Sequence, residues 1–160
     1  QLVMGDALAV CLLECRGFDS TDFAKFHPGG ALGKQLTLKV SDIYVNNEKP
    51  EISPNSSVKD VIIEISSRRL GITAVTEKNL LIGAVTDGDL RRMLENSTNI
   101  NNLSAKDIMS TTPKTINENE MATAALKQMQ DSNITQLIVA NDKIYLGVIH
   151  LHDLLKEGIV

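Results

Sequence analysis

Near the middle of the chain, a hydroxyl and two carboxylates follow a β-rich run in the string Gly83-Ala84-Val85-Thr86-Asp87-Gly88-Asp89. A helical pattern begins at Asp87, so these side chains are placed beside the exposed N–H groups of a helix start. Such N–H groups suit a phosphate, and the Asp89 carboxylate can accept hydrogen bonds from both hydroxyls of a ribose. The alternative is that Thr86 and Asp87 only cap the helix. The string alone leaves both interpretations open.

A second candidate is the loop Phe26-His27-Pro28-Gly29-Gly30-Ala31-Leu32-Gly33-Lys34. Proline kinks this loop, and its glycines let the backbone approach a ligand closely. A histidine presented in this way could serve as a general acid or base for an enediol isomerisation. The ordinary alternative is a solvated loop histidine, and the residues alone favour that alternative.

The elements that would position these residues follow from an internal repeat. Apolar residues at Val58, Val61, Ile62 and Ile65 share one helical face, and a shift of about 64 residues reproduces that face. The Asp42-Ile43 pair recurs at a shift of about 65, which one inserted residue in a connecting loop would explain. The matching positions are Ala122, Ala125, Leu126 and Met129 for the helix, Gly83 with Gly147, Asp89 with Asp153, and Asp42-Ile43 with Asp107-Ile108.

The repeat predicts an α/β protein of α+β type, built from a first unit, residues 40–97, and a second unit, residues 104–160. Each unit has the order strand-helix-strand-strand-helix, and the two should pack with pseudo-two-fold symmetry because neither can bury its apolar face alone. The predicted elements are a helix starting after 54–56, strands Ile72 to Thr76 and Leu81 to Thr86, a helix from Asp87, and strands Leu137 to Ala140 and Ile144 to Ile149.

Residues 1–35 have no counterpart in the repeat. The stretch Leu2 to Cys15 is apolar around almost its whole circumference, and such a helix is normally enclosed by other elements. We therefore expect these residues to be the end of a larger domain. Cys11 and Cys15 are interpreted as small core residues and not as a disulfide or a metal site.

The composition limits the partners. The net charge of -4 provides no positive field for nucleic acid, and the longest apolar run is too short to span a membrane. We expect a cytoplasmic protein, because the two cysteines suggest a reducing compartment.

Paired units that each end in a glycine, two apolar residues, Thr or Ser, two further residues and Asp resemble CBS modules. Members of this family often bind adenosine nucleotides between paired copies. The resemblance covers residues 40–160 and implies that Thr86 contacts phosphate or ribose, beside Asp87, and that Asp89 holds the ribose hydroxyls. The second unit retains Asp153 but has His150 in place of Thr or Ser. His150 either starts a helix or faces a phosphate and makes binding dependent on pH.

Longer strings are similar to arabinose 5-phosphate isomerases, in which a sugar isomerase (SIS) domain precedes a CBS pair. This resemblance implies that residues 1–35 end the SIS domain and that His27 belongs to its active site. It also implies interconversion of ribulose 5-phosphate and arabinose 5-phosphate for synthesis of Kdo, with this stretch alone inactive. The strings are Met4-Gly5-Asp6-Ala7-Leu8-Ala9, the His27 loop, Thr86-Asp87-Gly88-Asp89-Leu90-Arg91-Arg92 and His150-Leu151-His152-Asp153-Leu154-Leu155.

These resemblances predict a regulatory and assembly module. The expected ligand is AMP, ADP, ATP or CMP-Kdo. The expected partners are the chain's own SIS domain and further copies of the chain, which form at least a dimer and, in the full-length enzyme, a tetramer. Two alternatives stay open. The pair could be a structural oligomerisation module without a ligand, or the CBS pair of an unrelated enzyme or transporter.

Overall fold

The computed structural model describes residues 2–26, 29–96 and 100–159. The helices are α1 Leu2–Arg16, α2 Ser20–Phe26, α3 Ala31–Thr37, α4 Val40–Tyr44, α5 Val58–Arg68, α6 Asp87–Asn96, α7 Ala105–Ile108, α8 Ala122–Ser132 and α9 Leu151–Lys156, with a turn of 3-10 helix at Ile100–Asn102. The strands are β1 Glu51–Ile52, β2 Ile72–Glu77, β3 Leu80–Thr86, β4 Thr115–Ile116, β5 Gln136–Asn141 and β6 Ile144–His150.

The strands form one sheet with the palindromic order β1-β2-β3-β6-β5-β4. In each half a short strand runs parallel to the first strand of an antiparallel hairpin. The halves meet where Leu80 pairs with Ile144, and the Leu81 N–H donates to the Lys143 carbonyl at 2.7 Å. A palindromic order is what a two-fold relation between repeated units produces. The predicted fold class is therefore confirmed.

Local sequence explains where the elements begin and turn. Ser57 caps α5 by accepting from the N–H of Asp60, whose carboxylate accepts from the N–H of Ser57 in return. The β2–β3 turn places Lys78 and Asn79 at positive φ, and the corresponding β5–β6 turn does so at Asp142. Asn and Asp adopt this conformation more readily than most residues, so Asn79 and Asp142 favour turns between the predicted strands.

The segment leading into each unit packs against the other unit. The N–H of Val40 in α4 donates to the Glu120 carbonyl, and the N–H of Ala122 donates to the Leu38 carbonyl, both at 2.9 Å. In the opposite direction, the N–H of Ala105 in α7 donates to the Ser56 carbonyl at 2.9 Å. Val40 is fully buried in the core of the second unit, and Ala105 is fully buried in that of the first. The repeated sequence did not predict this exchange.

Two glycines mark the points where the exchanged segments cross the sheet. A Cβ at Gly83 would lie 2.8 Å from the backbone oxygen of Ser110, and a Cβ at Gly147 would lie 2.8 Å from the ring of Tyr44. Real Cβ atoms do not approach other heavy atoms so closely. Both glycines are therefore required by a close approach of another segment.

Helix α1 forms as predicted and ends before Gly17, whose φ of 60° suits glycine. It has no buried residue, and Leu2 and Val3 are more than 80% exposed. Cys11 and Cys15 are exposed as well, so the prediction that they are core residues is wrong for the described part of the chain. The described part of the chain therefore does not cover this apolar helix. Within that same part, no helix is both long enough and apolar enough to cross a membrane.

Candidate functional site

Thr86 and Asp89 lie together at the junction between β3 and α6. The hydroxyl of Thr86 donates to Oδ2 of Asp89 at 2.6 Å, and the backbone N–H of Thr86 donates to the same oxygen at 2.8 Å. The N–H of Asp89 completes the arrangement by donating to the Thr86 hydroxyl at 3.3 Å. The capping interpretation therefore describes Thr86. Asp87 makes no such bond, and its exposed side chain lies beside Gly71.

A cleft of about 250 Å³ opens beside Thr86 and Asp89, and we call it the first cleft. It is built from both units, because the second unit contributes its leading segment and the start of β5. The lining residues are Ile72, Ala84, Thr86, Asp89, Arg92, Ser110, Thr112, Pro113, Lys114, Ile134 and Gln136. A shallower hollow continues from it past Asp87, Gly88 and Arg91.

The first cleft has an apolar wall and a cationic rim. Ile72 and Ala84 are buried in the sheet and form an apolar surface on which a flat ring could lie. Arg92 donates to Oδ1 of Asp89, although the Arg92 side chain is 66% exposed and the Asp89 side chain only 12%. Lys114 is exposed on the same rim. The arrangement can accept an anion together with an apolar ring.

The second unit places His150 and Asp153 in the same relation at the start of α9. Nδ1 of His150 accepts from the N–H of His152 at 3.1 Å, and the N–H of His150 donates to Oδ2 of Asp153 at 3.0 Å. Burial lowers the pKa of His150, and the neighbouring His152 lowers that pKa further. His150 thus caps the start of α9 in this structure, and its contact with a phosphate stays a prediction.

Asn47 contacts two groups of the second unit that correspond to Asp89 and Ala84 beside the first cleft. Its side-chain amide donates to Oδ2 of Asp153 at 2.6 Å and to the backbone carbonyl of Val148 at 3.1 Å. In the first unit the carbonyl equivalent to Val148 is that of Ala84, which accepts from the backbone N–H of Ser110 at 2.8 Å. The pseudo-symmetry therefore breaks at these two contacts.

One extra residue in the first unit explains why the pseudo-symmetry breaks at these contacts. Ile43 matches Ile108 at a shift of 65, whereas strands β1 and β4 match at a shift of 64, so the first unit has one more residue between them. In the second unit Met109 leaves α7 in an extended conformation and the chain bridges to Ala84. In the first unit the chain keeps turning after α4, with the N–H of Asn47 donating to the Tyr44 carbonyl.

Sequence reasoning missed the role of Arg92 in the first unit, and it missed Lys114 and the other residues that the second unit contributes to the first cleft. The available signal was that the repeat has two different offsets, about 65 residues for the segment that leads into each unit and about 64 for the helix and strands that follow. A shift alone does not say that a segment crosses to the other unit. His27, the predicted catalytic histidine, lies outside the described residues. From the same loop, Lys34 pairs with Glu157, just after α9, at 2.8 Å.

Comparison with known proteins extends these observations. The chain is 45% identical to the arabinose 5-phosphate isomerase KdsD of Yersinia pestis over 99% of its own length and 49% of that protein. It spans about half the length of the curated relatives it matches. The aligned region includes residues 1–35, outside the repeat.

Solved structures share the architecture at low sequence identity. A CBS domain protein of Pyrobaculum aerophilum complexed with AMP has a TM-score of 0.64 and 20% identity, covering 73% of this chain and 90% of that one. The CBS domain of a bacterial CNNM/CorC family Mg²⁺ transporter in complex with ATP has a TM-score of 0.61 and 17% identity, covering 80% and 91%. The CBS domain model matches residues 40–96 and 105–159, which is more than half of the chain. The chain therefore belongs to the CBS domain family.

Proposed function

We propose that this chain is the regulatory CBS pair of an arabinose 5-phosphate isomerase and that its first cleft binds a phosphorylated nucleoside. The observation that carries this proposal is that Thr86, Asp89 and Lys114 line one open cleft that has an apolar wall. Adenine nucleotides are the first candidates, since two proteins of the same fold are described in complex with AMP and with ATP. CMP-Kdo is the alternative, suggested by feedback from the pathway product.

Binding requires a rearrangement at Asp89. Its Oδ2 is used by Thr86, and its Oδ1 accepts from Arg92. Arg92 is the member that can move, because its side chain is mostly exposed whereas that of Asp89 is mostly buried. Ribose hydroxyls would replace the Arg92 guanidinium at Oδ1, and the released cation would then face the phosphate together with Lys114.

The segment before the pair supports a coupling to the isomerase. Lys34 lies in α3, a few residues after His27 in the sequence, and its ion pair with Glu157 joins α3 to the second unit. The ion pair also lowers the pKa of Glu157. We propose that residues 1–35 end a SIS domain, that His27 acts there as a catalytic residue, and that the exposed face of α1 packs within that domain. The whole enzyme would interconvert ribulose 5-phosphate and arabinose 5-phosphate in the cytoplasm for lipopolysaccharide synthesis.

Isothermal titration of the purified chain with AMP, ADP, ATP and CMP-Kdo tests the ligand. We expect saturable binding of at least one of them, and CMP in place of CMP-Kdo separates recognition of the nucleotide from recognition of the sugar. No binding of any of the four contradicts the proposal and favours the structural alternative. Turnover of ribulose 5-phosphate by the same purified chain is assayed alongside the titration, and we expect the chain alone to be inactive.

Exposed apolar residues on α5 and α6 support a role in assembly of the oligomer. Ile63 of α5 and Leu94 of α6 are each more than half exposed, and Leu94 adjoins a groove lined by Ile62 and Leu90. Such apolar helical faces are surfaces that a second copy covers. We expect a dimer by light scattering at micromolar concentration, weakened by Leu94→Glu and not by the control Leu80→Glu at the far end of β3. If the chain without substitutions is a monomer, assembly through these helices is contradicted.

The remaining alternative is a CBS pair from an unrelated enzyme or transporter. The alignment with the Yersinia enzyme covers 99% of the chain and so extends beyond both matched CBS units into the segment that precedes them, and this argues for the isomerase. Sequencing the gene upstream of residue 1 decides between them, because a SIS domain supports the isomerase and membrane helices or a barrel domain contradict it.

A further inference from the structure

The exposed helical faces of the two units carry different residues at matching positions. In the first unit, Leu94 lines a groove between α5 and α6 together with Asp87 and Arg91. Both Leu94 and Ile63 are more than half exposed. The charged positions of this face are apolar in the second unit. At an offset of 64, the second unit has Lys127 for Ile63, Leu151 for Asp87, Leu155 for Arg91 and Gly158 for Leu94.

The charges of Asp87 and Arg91 are available to a second copy. Among residues 2–26, 29–96 and 100–159, neither side chain forms a hydrogen bond or an ion pair. Both side chains are exposed, lie four positions apart on α6 and carry opposite charges. Two such faces related by a two-fold axis are therefore complementary, because Asp87 of each copy can pair with Arg91 of the other.

A contact between unlike units lacks this complementarity. The face of the first unit would then lie against that of the second, so that Asp87 and Arg91 would lose water against the positions of Leu151 and Leu155 without gaining a partner. The exposed Ile63 would likewise face a lysine and not an apolar surface.

We infer that two copies of the chain meet through like units, first unit on first unit, with Asp87 of each copy paired to Arg91 of the other. The inference rests on the proposed assembly role, since it specifies how that dimer is arranged, and it does not depend on the nucleotide. It also determines where the upstream domains lie. Lys34 joins α3 to the second unit through Glu157, so the two leading segments enter from the same end of the dimer.

Mixing two charge-reversed variants of the chain tests the arrangement without any ligand. Asp87→Arg gives the face two positive groups and Arg91→Asp gives it two negative groups, so each variant alone should dimerise weakly. The mixture should form a heterodimer at least about tenfold tighter than either homodimer, measured by native mass spectrometry at physiological ionic strength. The control mixture is Glu77→Lys with Lys78→Glu, which makes the same changes in net charge at exposed positions beside the β2–β3 turn and should show no such preference.

The outcomes separate this inference from the proposed function. A heterodimer no tighter than the homodimers, with an unsubstituted chain that dimerises, overturns the contact between like units and leaves the assembly role standing. An unsubstituted chain that is monomeric overturns both.

A second measurement covers the case in which a reversed variant does not fold. Leu155→Cys, in a chain with the exposed Cys11 and Cys15 replaced by serine, places one thiol on the second unit. A short bismaleimide should join the two copies through this thiol, because like units adjoin. Absence of this crosslink overturns the inference.

Discussion

The side-chain amide of Asn47 donates a 2.6 Å hydrogen bond to the carboxylate of Asp153, although the two residues are 106 positions apart. The contact joins the leading segment of the first unit to the closing helix of the second. In the first unit the carboxylate matching Asp153 is that of Asp89, whose Oδ2 accepts from the Thr86 hydroxyl instead. The Asn47 amide thus makes the hydrogen bond to the carboxylate that the Thr86 hydroxyl makes in the first unit.

Replacing Asn47 should lower stability. Asn47→Ala removes two donors and leaves the Val148 carbonyl and the Asp153 carboxylate short of partners, so we expect a loss of about 1 to 3 kcal/mol in the free energy of unfolding. Urea denaturation measures it, with Asn46→Ala as the control at an exposed neighbouring amide. Equal losses in the two variants would contradict the role given to the Asn47 contacts.

Adding a methyl group at either crossing glycine should also destabilise the fold. Gly83→Ala and Gly147→Ala bring a Cβ to within 2.8 Å of Ser110 and Tyr44 respectively. We expect each to lower the free energy of unfolding by about 1 to 3 kcal/mol, with the larger loss at Gly83 because a backbone atom cannot rotate away. Gly5→Ala is the control, since no atom lies within 4 Å of its Cβ and alanine favours the helix. Unchanged stability at Gly83 would rule out the close approach.

Lys114 should contribute to affinity and not to folding. Lys114→Gln removes one cation from the rim of the first cleft, and the loss of a charge-assisted hydrogen bond to phosphate should weaken nucleotide binding about tenfold or more. Calorimetry compares it with Lys127→Gln, which removes the same charge from an exposed position on α8 outside the cleft. Similar affinities in both variants would place the phosphate elsewhere.

Stability should fall on mild acidification because of His150. Burial keeps its folded pKa below the unfolded value of about 6.5, so the unfolded chain takes up a proton first. The contribution of neutral His150 is therefore complete above about pH 6.5 and is lost as the pH falls from there toward the lower folded pKa. His150→Asn keeps a capping group that does not titrate. The urea concentration at the midpoint of unfolding should fall less in this variant than in the unsubstituted chain when the pH is lowered from about 8 to about 5.5. An equal fall in the two proteins contradicts the role given to His150.

Much of the fold could be read from local patterns. The helical face around Val58 and Val61 and the two hairpins form where the sequence predicted them, within one or two residues. Helix periodicity and turn residues are short-range properties, so the chain carries them locally. The relation of Thr86 to Asp89 was equally accessible, because a hydroxyl and a carboxylate three residues apart meet at a helix start.

The sequence by itself determined that a small α/β unit occurs twice and that Thr86 and Asp89 lie together at one strand end. Only the tertiary structure decided which segment packs on which unit, and therefore that Lys114 borders the first cleft while Asn47 contacts Asp153. The physical reason is that a helix or a turn is specified by neighbouring residues, whereas the path of a leading segment depends on long-range packing. A single extra residue before β1 redirected that path in one unit and not in the other.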